Sequence, residues 1–226
     1  HCPSVGRSGT MVRLVHYDII KLLWVKLFLM DIHRLEIGEQ KIRFSFCLFL
    51  SVEESIGELL PKFIQEYLLR LTQDIRRMTK VAEVVWREAN VAFCTPEQVE
   101  YMIEMFQSYE AVMGQLMHGY RYFLVEEDGE ILAYFGVQPQ GERLFLSKFY
   151  ILKEHRGKGI FTMGLNFMAE LCREQQLDTI YLTVNRNNHH ACEVYLHKGF
   201  RIAEEAVADI GCGFVMDDYI MEYDVI

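Results

Sequence analysis

The sequence predicts an α+β (mixed α/β) fold, with one sheet layered by helices. Three observations carry that expectation. Between residues 64 and 226 the chain runs in the order β-α-α-α-β-β-β-α-β-α-β-β. Asp128-Gly129 joins two β-rich runs, and this is a residue pair that a two-residue hairpin turn favours. In KFYILKEHRGKGIFTMGL (148–165) a strand, a glycine-rich turn and a helix follow one another without a break.

The elements are justified in turn. EYLLRLT (66–72) reads as a short apolar strand. Ile75, Met78, Val81, Val85 and Ala89 recur at helical spacing, so 74–89 is a helix with Asp74 near its start. Residues 94–106 form a second helix, with Thr95 as its cap and Pro96 at its first position. A third segment, 108–119, ends at Gly119. The runs 120–138 form the hairpin around Asp128-Gly129, and RLFLSKFYIL (143–152) adds a third strand. An amphipathic helix follows at 160–176, then a strand at 178–185 and a short helix at 187–200 stopped by Gly199. A strand pair around Gly211 and Gly213 closes the chain at 201–225. VEESIGELLPKF, with Gly57 and Pro61, separates this domain (62–226) from an N-terminal extension (1–61) that reads as mainly helical.

Half of the 226 residues are apolar, enough for a packed core. The net charge is −9, and residues 1–61 are balanced at seven basic and seven acidic side chains, so the whole excess lies in the later domain. An acidic domain argues against nucleic acid as a partner, because phosphate neutralisation needs a surplus of Lys and Arg. It mildly favours a cationic ligand. Six scattered cysteines without a C-x-x-C suggest reduced thiols in a cytoplasmic protein. IIKLLWVKLFLM (19–30) is broken by Lys21 and Lys26, and FSFCLFLSV (44–52) is too short to span a bilayer as a helix. No membrane partner is expected.

The chemistry concentrates in 148–165. Gly157 and Gly159 allow a tight turn and a close approach of the backbone to a ligand. The unpaired amides of the next helical turn converge beside the positive end of the helix dipole, and Arg156 and Lys158 add charge. That arrangement suits a phosphate or pyrophosphate. Neither a Walker loop nor a dinucleotide fingerprint opening the chain's first βαβ unit is present.

Two motifs here resemble those of the GNAT superfamily of acetyl-CoA-dependent N-acetyltransferases. One is R-x-x-G-x-[GA], seen as Arg156-Gly157-Lys158-Gly159-Ile160-Phe161 after LSKFYIL. The other is N-x-x-A-x-x-x-Y-x-x-x-G-F, seen as Asn188, Ala191, Tyr195, Gly199 and Phe200. The resemblance covers roughly 64–226 and implies a mixed, mostly antiparallel sheet flanked by helices. It also implies acetyl transfer from acetyl-CoA, as cosubstrate, to a primary amine by direct attack. By that resemblance, the backbone amides of Arg156, Gly157, Lys158, Gly159, Ile160 and Phe161 cradle the CoA pyrophosphate. Main-chain groups of Phe149 and Ile151 pair with the pantetheine arm, Asn188 hydrogen-bonds it, and Tyr195 protonates the departing thiolate as general acid. Phe161 departs from the family's Gly or Ala, and its ring is expected to turn away from the ligand into the core. A non-catalytic acyl-CoA-binding protein on the same fold is the alternative. No residue stands out as general base. Glu126, Glu127, His118, Asp217 and Asp218 are candidates, and Asp217-Asp218 comes first because successive strand residues face opposite ways. His189-His190 reads as helix-start residues, and no metal is expected.

The opening HCPSVGRSGT has the residue types of a tyrosine-phosphatase loop, H-C-x5-R-[ST]. Only four residues, Pro3 to Gly6, separate Cys2 from Arg7, and Pro3 removes one amide from the cradle. A phosphatase is therefore disfavoured. The open expectations for the head are a fragment, a fusion remnant or a helical arm for homodimer contacts, with Met11 as a candidate natural start.

Overall fold

The computed structural model describes residues 11–14 and 62–225. Their elements are β1 (Met11–Leu14), α1 (Lys62–Asn90), α2 (Pro96–Gln107), α3 (Tyr109–Met117), β2 (Arg121–Glu127), β3 (Glu130–Gln140) and β4 (Arg143–Ile151). A 3-10 turn (Lys153–His155), α4 (Ile160–Gln175), β5 (Thr179–Asn185), α5 (His189–His197), β6 (Arg201–Gly211) and β7 (Phe214–Asp224) complete the chain. The fold is mixed α/β, as expected. Seven strands form one sheet in the order β1-β2-β3-β4-β5-β7-β6. Among the described residues only β4–β5 pair in parallel.

Two expectations change. The strand expected at 66–72 is helical, part of the 29-residue α1. Leu71 stands four residues before Ile75 and continues the buried stripe of Ile75, Met78, Ala82 and Val85. The 3.6 period therefore extends further back than the apolar run suggested. In the head, four residues form β1, antiparallel to β2, where a mainly helical extension was expected. The HCPSVGRSGT loop and the apolar runs 19–30 and 44–52 lie outside the described residues. Among the described residues, no helix is long and apolar enough to cross a membrane.

The two sheet faces bury different chemistry. On one, Phe123, Phe135, Leu146 and Phe149 pack with Leu165, Met168 and Cys172 of α4. There Gly164 lets the helix close on β4: a Cβ would sit 2.4 Å from the Phe149 ring. The opposite face carries Tyr122, Tyr134, Lys148 and Tyr150. Their partners come from the helices: Tyr150 packs on Trp86 of α1, Tyr134 donates to Gln107 of α2, and Tyr122 donates to Gln115 of α3.

Candidate active site

The sheet opens where β4 leaves β5. Their parallel pairing runs from Arg143–Thr179 to Leu146–Leu182 and stops there, although both strands continue. A bulge coincides with the break. Val137 pairs with Leu146 and Gly136 with Lys148, so Ser147 is the extra residue. A bulge bends its strand and increases its twist, and β4 diverges from this point.

The register then decides which way the freed backbone points. Leu152 N–H donates to the Leu132 carbonyl, making 132–152 a hydrogen-bonded pair. Pairs alternate along an antiparallel ladder, so Phe135–Phe149 and Ala133–Ile151 are non-hydrogen-bonded pairs. The N–H and C=O groups of Phe149 and Ile151 therefore point away from β3, into the gap facing β5. The Ile151 carbonyl is already engaged, accepting from Arg156 Nε at 3.0 Å.

The glycine turn lies just beyond β4. Gly157 (φ 73°) and Gly159 (φ 82°) are left-handed, which is why side-chain-bearing residues are disfavoured there. The α4 ladder begins with Met163 N–H donating to Gly159, so the amides of Ile160, Phe161 and Thr162 have no acceptor within the helix. Arg156 behaves differently from the expectation. Its amide donates to Lys153 within the 3-10 turn, which shortens the candidate cradle to Gly157–Phe161. Its guanidinium forks onto Glu88 of α1 at 3.2 and 3.3 Å. The side chain ties the turn to α1 instead of standing free for an anion.

Asn188 caps α5, its side-chain oxygen accepting from Ala191 N–H at 3.2 Å. Only the carboxamide nitrogen is left to donate elsewhere. About two helical turns further, Tyr195 packs against Phe161 (ring centroids 5.5 Å) and Phe200 (5.4 Å). Phe161 in turn meets Phe149 edge-on at 4.9 Å. The Phe161 ring is packed at the edge of the core, where it links Phe149 to Tyr195. Burial, and secondarily Cys192, pushes the Tyr195 phenol up to about 12.

Among the candidate bases, the structure separates Asp217 from Asp218. Asp217 faces solvent and pairs with Arg186 at 3.3 Å. Asp218, opposite Asn185 at the end of β5, turns inward, and its Oδ1 is buried without a hydrogen-bond partner. Burial first, and the neighbouring Asp217 second, raise its carboxyl to about 6. Glu126 pairs with Arg77 at 3.0 Å, and His118 is held at the Gly114 carbonyl near the end of α3. His189 and His190 open α5.

Two residues escaped the sequence reading. Burial raises the Tyr150 phenol, and the charges of Tyr195, Asp218 and Cys94 raise it further, while a hydrogen bond with Asn90 lowers it. Tyr150 is therefore near enough to the candidate acid and to the inward carboxylate to feel both charges. Cys94, half-buried before α2, has its thiol raised by burial and by Asp218. Alternation along β4 from Phe149 could have flagged Tyr150 as facing the other side of the sheet. Nothing local marks Cys94.

Comparison with known proteins follows the same geometry. Residues 81–200 match the acetyltransferase (GNAT) family. A PaiA N-acetyltransferase from Thermoplasma acidophilum, solved in complex with coenzyme A, superposes with a TM-score of 0.58 at 18% identity, covering 68% of this chain and 94% of that one. A GCN5-related N-acetyltransferase from Rhodopseudomonas palustris gives 0.57 at 12% identity, covering 67% and 90%. The smu.2055 protein of Streptococcus mutans gives 0.54 at 16% identity, covering 69% and 96%. These likenesses speak for the fold. No curated protein matches the sequence.

Proposed function

Because this chain belongs to the acetyltransferase (GNAT) family, we propose that it moves the acetyl group of acetyl-CoA onto a primary amine in the gap between β4 and β5. The observation that carries this reading is the free edge of β4: the main-chain groups of Phe149 and Ile151 point into the gap, directly before a glycine turn whose helix amides lack acceptors. An extended chain with amide groups can add to such an edge as a strand would, and a diphosphate suits the amides beyond it.

Acetyl-CoA supplies the acetyl group activated as a thioester. The residues of the chain hold it and move protons. The amides of Gly157–Phe161 hold the pyrophosphate, and the main chain of Phe149, together with the Ile151 N–H, pairs with the pantetheine arm. Asn188 donates from its carboxamide nitrogen. Asp218 takes a proton from the incoming ammonium, and the freed amine forms the new N–C bond as the C–S bond breaks. Tyr195 gives its phenolic proton to the leaving sulfur, and the nitrogen, on becoming an amide, gives up its second proton to return the tyrosinate to the phenol. Both assignments fit the environments. A phenol pushed up to about 12 stays protonated at neutral pH, and a carboxyl raised to about 6 is ionised there yet more basic than an ordinary aspartate. The unpartnered Asp218 oxygen and the net charge of −9 favour a small cationic acceptor.

Thermal unfolding with and without acetyl-CoA tests the cofactor half. Acetyl-CoA at a hundred times its Kd stabilises by about 2.7 kcal/mol, a readily visible rise in Tm. Gly159→Val, which forces a β-branched side chain into a left-handed position, removes that rise. No rise in the unaltered protein rejects the reading.

A further inference from the structure

Resting on that reading of the site, we propose that Phe161 is a positioning residue for acetyl transfer: its ring bridges the gap between β4 and α5 and fixes the Tyr195 hydroxyl against a thioester held along the β4 edge.

The sheet by itself does not set that distance. The β4–β5 pairing ends at Leu146–Leu182, before β4 reaches Phe149. Beyond it β4 stays with β3, while β5 stays with β7 and leads into α5. The thioester lies along the first set of strands, and the second carries the candidate acid. A series of aromatic rings crosses the opening. Phe123 stacks on Phe135 at 4.8 Å between centroids, and Phe135 on Phe149 at 5.0 Å. On the far side Tyr195 meets Phe200 at 5.4 Å, and Phe200 meets Tyr223 of β7 at 5.3 Å. Phe161, in the first turn of α4, joins the two series. It stands edge-on to Phe149 at 4.9 Å and edge-on to Tyr195 at 5.5 Å, a geometry that aromatic pairs prefer.

Of these two ring neighbours of Tyr195, Phe161 is the one that can hold it relative to β4. Phe200 donates its amide to the Tyr195 carbonyl at 3.0 Å, so it belongs to the same helix end and moves with it. Phe161 is anchored from the other side. Its helix lies so close to β4 that a Cβ at Gly164 would come 2.4 Å from the Phe149 ring, and Ile160 and Leu165 beside it are buried. A glycine or alanine at 161 could not reach both rings. Placement matters because the proton travels a short path. As the C–S bond breaks, the phenolic proton passes to sulfur, and the tyrosinate recovers a proton from the nitrogen that becomes the amide. A misplacement of about 1 Å can cost about 10²-fold in rate. Truncating Phe161 to alanine keeps the backbone amide offered to the pyrophosphate, so it separates positioning from cofactor binding.

The test uses the full chain, Phe161→Ala, Tyr195→Phe and the double variant, each confirmed folded by circular dichroism. Phe161→Leu, which keeps the bulk and loses the ring, replaces the alanine variant if that one does not fold, with the same direction expected. Thiol release from acetyl-CoA is measured with spermidine as acceptor. Phe161→Ala should lower kcat at least tenfold and leave KM for acetyl-CoA within threefold. In the Tyr195→Phe background the same truncation should change kcat less than twofold, because no hydroxyl remains to be placed. A tenfold loss in both backgrounds overturns the proposal, as does a kcat that Phe161→Ala leaves unchanged. A second readout needs neither cofactor nor acceptor. Nitration of tyrosines by tetranitromethane is followed by site-resolved mass spectrometry. Loss of the Phe161 ring should speed nitration of Tyr195 at least fivefold. Tyr181, which pairs with Phe145 on the opposite face of the sheet, should be unaffected. Equal Tyr195 rates with and without the ring overturn the bridge. If spermidine is not acetylated, the acceptor reading fails, and nitration still decides whether Phe161 holds Tyr195.

Discussion

Lys148 Nζ lies 2.9 Å from the carbonyl oxygen of Phe106, in the last turn of α2. The same nitrogen reaches Gln115 Oε1 at 2.6 Å and the Tyr122 hydroxyl at 2.5 Å. A cation at the carbonyl end of a helix complements its dipole. The side chain ties three elements together beside the bulge where β4 leaves β5. Its partners are neutral, and burial lowers its pKa to about 7.

That shift gives a stability prediction. Lysine in the unfolded chain titrates near 10.4. Between about pH 7 and that value the folded state binds fewer protons than the unfolded one, so stability rises with pH. The gradient approaches about 1.4 kcal/mol per pH unit. Urea unfolding at pH 7 and pH 9.5 should show the increase in the unaltered chain and lose it in Lys148→Met. Equal gradients in the two proteins would place the Lys148 proton in the folded state across the whole range.

Asp218 has the opposite sign. Its carboxyl is raised to about 6, so the folded state holds its proton more tightly than the unfolded one and stability falls as pH rises through the interval from about 4 to about 6. As the proposed base it must be ionised, so kcat/KM should climb through pH 6 and then level. Asp218→Asn should remove that limb and lower kcat/KM by about 10²-fold or more. A surviving limb near pH 6 in the variant assigns the base elsewhere.

Arg156 supports a different expectation from that of a phosphate-binding arginine. Its guanidinium is engaged by Glu88 and by the Ile151 carbonyl. Glu88→Gln, which leaves the charge of Arg156 intact, should raise KM for acetyl-CoA several-fold by loosening the turn. Partly exposed ion pairs contribute about 0–1 kcal/mol, so Tm should move little. An unchanged KM in Glu88→Gln together with a raised one in Arg156→Gln would show instead that the charge itself contacts the cofactor.

Much of this fold was readable from local signals. Both residues of the Asp128-Gly129 turn have positive φ, as a two-residue hairpin requires, and Thr95 caps α2 as read. The start of α1 is the harder case: EYLLRLT is apolar enough to pass for a strand, and only the spacing of Leu71 to Ile75 shows its helical period. In the candidate site, the glycine turn and the α5 motif are contiguous in sequence and could be read directly. The inward turn of Asp218 depends on strand register. The engagement of Arg156 by Glu88 joins residues 68 positions apart. No local pattern encodes such a distance.

The most direct test is thiol release from acetyl-CoA over a panel of small amines, run side by side for the unaltered chain and Tyr195→Phe. The account predicts amine-dependent release by the unaltered chain. In the variant, kcat should fall by about 10²-fold with KM for acetyl-CoA nearly unchanged, because the phenolic proton acts on the leaving sulfur. Amine-dependent release at the same rate in both proteins would contradict it.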